Sequence, residues 1–116
     1  MYKIVAAVNS IVANSHRIGH VLRKENEIFF IYDDKFKWSI NKSEDGNFAL
    51  FYYPGEETLE DIVSRTHWPS SDYVVYSTEL IKTRESKESF ADLYQTVQNK
   101  LFGVDQVLDY IINTAA

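Results

Sequence analysis

Histidines are the first residues to weigh, because few other side chains here combine acid–base and metal-binding capacity. His16 and His20 stand four apart in HRIGH, the separation that sets two imidazoles on one helix face around a divalent metal. A zinc hydrolase of that design needs a glutamate directly after the first histidine, to act as base on metal-bound water. Arg17 holds that place, and Gly19 weakens the helix the spacing requires. No metal site is expected. His67 lies beside Trp68, with Asp61 and Asp72 near in sequence and several serines to hand. A hydrolytic triad, however, is recognised by a strained nucleophile turn, and no G-x-S-x-G pattern occurs. No catalytic residue is assigned.

Other chemistries are excluded more firmly. Gly19, Gly46, Gly55 and Gly103 are the four glycines and lie singly, so neither a P-loop nor a dinucleotide fingerprint can form. The absence of cysteine removes thiolate nucleophiles, thiolate metal sites and disulfides, and suits a reducing compartment. Asp33 and Asp34 are adjacent and point apart, which fits turn formation better than paired acid–base work. No cofactor is expected.

The elements that would carry any site can be read from hydrophobic period. Residues 2–14 form a helix with Ile4, Val8, Ile11 and Val12 in one stripe and Val5 beside it. Beyond Ile18 the period drops to two. Residues 18–24 give a strand that adds Leu22 to the core if the chain turns at Glu25-Asn26, or else a continuation of the first helix. Residues 27–32 give a strand that is apolar at nearly every position. Residues 35–41 alternate cleanly, with Phe36, Trp38 and Ile40 set against Lys35, Lys37, Ser39 and Asn41. A two-residue turn at Asp33-Asp34 pairs Phe30 with Lys37 and Phe29 with Trp38. That register sends Phe29, Ile31, Phe36, Trp38 and Ile40 to a core face. Phe30, Tyr32, Lys35 and Lys37 fall on the other, half-wet face.

The strand at 47–53, FALFYY and its lead residue, has two registers. A four-residue loop puts Phe51 and Tyr53 on the core face, and a five-residue loop puts Phe48, Leu50 and Tyr52 there. Pro54-Gly55 ends it. Thr58 then caps a short acidic helix that runs to about Thr66. Asp72–Thr78 reads as a fifth strand. Ser86 caps a helix with Phe90, Leu93, Tyr94, Val97 and Leu101 in one stripe, which Gly103 breaks. Val104, Val107, Leu108, Ile111 and Ile112 form the buried side of a last helix.

The expected fold is therefore one α+β domain over residues 1–116. An antiparallel sheet of four to five strands, a meander plus one later strand, carries an N-terminal helix, a short middle helix and two C-terminal helices mainly on one face.

Charge narrows the partners. The net charge is −5 and the pI near 5.1, which argues against general nucleic-acid binding. Residues 1–43 hold seven Lys/Arg against four Asp/Glu, whereas residues 44–79 hold one against eight. Solvated loops and helix N-termini account for such an asymmetry, and the sharper alternative is a dipolar surface that docks a partner or a second copy of the chain. No apolar stretch approaches the roughly 20 residues of a spanning helix. The opening residues imitate a signal peptide, but Asn9-Ser10 interrupts their apolar run after five residues, and a cytoplasmic protein is expected.

Two functions from different classes follow. One is a non-enzymatic interaction, accessory, regulatory or immunity-type module. It would work as a homodimer, or with another protein, through Phe30, Tyr32, Lys35 and Lys37. The other is a small-ligand binder or minor enzyme, with a pocket between sheet and helices lined by Tyr53, His67, Trp68 and Tyr73.

Overall fold

Hydrophobic period and turn chemistry together yield one sheet with helices on both sides, seen in a computed structural model that describes residues 2–64 and 72–115. In chain order the elements are α1 (Lys3–Ala13), β1 (Ile18–Lys24), β2 (Glu27–Tyr32), β3 (Phe36–Lys42), β4 (Phe48–Tyr53), α2 (Leu59–Ser64), β5 (Val74–Ser77), α3 (Thr78–Ile81), α4 (Arg84–Phe102) and α5 (Val104–Thr114). The strands lie in the order β1-β2-β3-β4-β5, each antiparallel to its neighbour. The α+β architecture is as expected. Residues 18–24 are a strand rather than more helix, and the turn at Glu25-Asn26 sets Lys24 opposite Glu27.

The main core lies where α1 and α4 cover one face. Val8 and Ile11 of α1 and Phe90, Leu93 and Val97 of α4 meet Ile28, Phe30, Ile40, Phe48 and Leu50 of the sheet. Strand 47–53 takes the five-residue-loop register: Lys42 pairs with Phe48 and Ile40 with Leu50, so Phe48 and Leu50 point inward. A smaller core fills the opposite face, where Leu59 and Ile62 of α2 sit on Phe29 and Tyr53. The sheet is thus apolar on both sides.

One register expectation is overturned. Tyr32 pairs with Phe36, Ile31 with Lys37, Phe30 with Trp38 and Ile28 with Ile40. The loop holds three residues, not two, with Asp33 and Asp34 both at positive φ and Lys35 completing it. Because side chains alternate with period two, the single extra residue moves every β2 side chain to the opposite face relative to β3. Phe30 and Ile28 join Trp38 and Ile40 under the helices, and Phe29 and Ile31 go to the α2 side with Lys37 and Ser39. Burial decides the matter, since this register puts large apolar side chains together on each row and leaves Lys37 near polar partners.

Two corrections concern the helices. Thr83, not Ser86, caps α4: its side chain accepts from the Ser86 N–H, while the Ser86 hydroxyl bonds back to the Thr83 carbonyl and is buried. The apolar stripe of α5 is not a buried side. No residue of α5 is buried, and of the five stripe residues all but Val104 are at least half exposed. The core on that side of the sheet is built from α1 and α4, and α5 adds no residue to it. Gly103, at φ 64 in the left-handed region, ends α4 and redirects the chain, so α5 runs past the body. Among the described residues no helix is long and apolar enough to cross a membrane.

Candidate functional site

The four residues expected to form one docking face are dispersed. Phe30 is 0% exposed in the main core. Tyr32 lies on that same face at its edge, opposite Phe36. Lys35 is in the exposed loop, its Nζ 5.6 Å above the Phe36 ring. Lys37 points to the α2 side, where its Nζ donates to the carbonyl of Gly55 at 2.6 Å and to that of Glu57. A common aromatic–lysine surface therefore does not exist; the three-residue loop removed it.

Of the residues expected around a ligand, His67 and Trp68 lie outside the described residues. Tyr53 is 2% exposed beneath α2, its ring 6.5 Å from Phe51. Tyr73 is 39% exposed, its ring 5.5 Å from the same Phe51 ring. The structure thus brings Tyr53 and Tyr73 to one aromatic cluster.

The histidine pair is also separated. His16 sits in a short 3-10 turn (Ser15–Arg17) and His20 in β1, at the bulge where β1 slips against β2. His20 holds positive φ there, and its Nε2 pairs with a carboxylate oxygen of Glu60 in α2. No group of three or more metal-binding side chains occurs among the described residues.

The densest polar cluster is one that sequence reasoning missed. Successive strands on the α2 face bring together Glu27 of β2, Ser39 of β3 and Tyr53 of β4. The Ser39 hydroxyl donates to Glu27, the Tyr53 and Ser39 hydroxyls lie 2.7 Å apart, and Asn41 reaches the second Glu27 oxygen at 3.4 Å. A serine beside a carboxylate resembles nucleophile chemistry, but Ser39 is 0% exposed and offers a substrate no approach. The cluster instead satisfies polar groups inside the sheet.

Burial, reinforced by the Glu27 carboxylate, holds the Tyr53 phenol above its ordinary value of 10.0. A raised pKa means that the folded state keeps the proton which the unfolded chain loses from about pH 10 upward, so this contribution to stability is complete below that pH and declines above it. Tyr53→Phe is expected to cost about 1–2 kcal/mol near neutrality. Above pH 10 the gap between wild type and variant should close by up to about 1.4 kcal/mol per pH unit. Urea unfolding on both sides of that pH checks it; a gap that does not change would contradict the buried phenol.

The largest unabsorbed feature is α5. Val107, Leu108, Ile111 and Ile112 line one side of it, with Tyr110 beside them and Phe102 at the end of α4. All six are between 50% and 70% exposed. Gln106, Asp109 and Asn113 occupy the other side by helical spacing, with Asp105 at the edge. At its base, β1 and the end of α4 leave a groove of about 330 Å³ lined by Ile18, His20, Val21, Lys100, Leu101 and Gln106. The sequence showed the stripe plainly. What it did not show was that α1 and α4, and not α5, would close the core on that side of the sheet. Among the described residues the outer edge of β5 also has no neighbouring strand, and Val74 and Val75 there are 43% and 46% exposed.

Comparison with known proteins adds no relative: no family model, no curated protein and no solved structure matches this chain.

Proposed function

We propose that this protein is a non-enzymatic interaction module, a small cytoplasmic accessory, regulatory or immunity-type component that acts by presenting the apolar face of α5 to another protein surface. A second copy of the chain is among the surfaces that would fit. The observation that carries the reading is the exposure of Val107, Leu108, Tyr110, Ile111 and Ile112 on a helix with no buried residue. Contiguous apolar patches rimmed by polar residues mark interaction sites, and a large aromatic such as Tyr110 is a favoured anchor in them. Length supports the same view. An 11-residue helix standing alone is marginal in water, so α5 would be stabilised by a surface that covers its apolar side.

Removal of residues 104–116 tests the reading. Because α5 gives nothing to either core, the shortened domain should melt in dilute solution within about 3 °C of the full chain. A fall of about 10 °C or more would mean that α5 belongs to the folded body, and the proposal would fail.

A further inference from the structure

We infer that the surface which covers α5 is α5 of a second copy, packed antiparallel about a two-fold axis. The inference rests on the reading of α5 as a docking helix and names its occupant. Area is the first argument. Six large side chains at 50% to 70% exposure present about 100 Å² each, so a second copy could cover at most about 600 Å² per chain and about 1,200 Å² for a pair. That ceiling matches the lower bound for a specific protein interface and is reached only if Tyr110 and Phe102 fold over the α5 stripe.

Charge is the second. Residues 101–116 carry two aspartates and no lysine or arginine. At 100° per residue Asp109 lies nearly opposite Ile111 and so faces away from the seam, while Asp105 flanks its edge beside Ile112, in the groove that also holds Lys100. The same lack of basic residues disfavours an anionic lipid surface, which attracts helices with a cationic polar face.

Direction is the third. Eleven residues span about 16 Å, so antiparallel packing brings each C-terminal turn beside the start of its partner helix. Opposite dipole ends then adjoin. Lys100 lines the groove at that start and would sit close to the partner's last carbonyl groups. Parallel packing would set like ends together and leave Lys100 unused.

The lack of native cysteine makes the arrangement directly measurable. Val104→Cys and Ala115→Cys chains, oxidised separately and as a mixture, should give a disulfide-linked dimer chiefly in the mixture. Light scattering over a concentration series should show a dimer for the wild type. Ile111→Asp and Leu108→Asp, both at exposed positions that leave folding intact, should weaken it at least thirty-fold, roughly the effect of losing a central anchor. A wild type that stays monomeric at every concentration would overturn the second copy as occupant. The docking reading would then still stand or fall on the melting of the shortened chain. A dimer that survives both aspartate variants would place the contact elsewhere. Val104→Cys chains that cross-link among themselves would rule out the antiparallel seam. Sedimentation of the chain with anionic phospholipid vesicles, without self-association, would make the occupant a membrane.

Discussion

Phe30→Ala is expected to destabilise the protein by about 3–5 kcal/mol, enough to consume much of the stability of a domain this size. Phe30 is fully buried among Ile28, Ile40 and Leu50 of the sheet and the inward faces of α1 and α4. Truncating it leaves a cavity bounded by both strands and helices, which α1 and α4 cannot fill without shifting on the sheet. In urea unfolding the variant should lose most of its transition midpoint with little change in slope. The prediction is sharp because it separates two registers. With a two-residue loop Phe30 would pair with Lys37 on a wet face, and its truncation would cost less than about 1 kcal/mol. A small effect would therefore restore the register that the three-residue loop displaces. Lys35→Ala is the natural control, since Lys35 lies exposed in the loop.

The same pair of strands shows how far residues alone can lead. Alternation in β3 placed Phe36, Trp38 and Ile40 inward; Trp38 and Ile40 do join the main core, while Phe36, at the start of the strand, is 39% exposed. EIFFIY of β2 has no alternation to read, because both faces of the sheet bury it, one under α4 and the other under α2. Its facing therefore depended on turn length, and turn length at Asp33-Asp34 has no glycine to fix it. Where the alternatives for β4 were kept open, packing selected the one that buries Phe48 and Leu50. The N-terminal helix, the existence of a strand at 27–32 and the break at Gly103 were legible from apolar content and punctuation, whereas residues 18–24 stood open between strand and helix until the pairing of Lys24 with Glu27 decided them.

The polar cluster was not legible, for a different reason. Glu27, Ser39 and Tyr53 are 12 and 14 residues apart, and only the pairing of three strands brings them into one row. Each looks ordinary in its own segment. The exposed face of α5 was hidden in the opposite way. Its stripe was visible but carried no mark to distinguish a core helix from a docking helix, because both need the same pattern. The difference lies in which helices close the core, a property of the whole fold.

Amide hydrogen exchange across residues 104–114, followed as protein concentration rises, tests the role of α5 most directly. In dilute solution an 11-residue helix without buried contacts should exchange nearly as fast as a free chain. Once copies pair, the same amides should slow by about a hundred-fold or more, while those of β2 and β3 remain protected throughout. Such concentration-dependent protection, confined to α5 and the turn before it, is the expected result. Protection that is already complete in dilute solution would mean that α5 is held by its own domain. Free-chain exchange at every concentration would mean that no second copy covers it, and either outcome would contradict the paired docking helix.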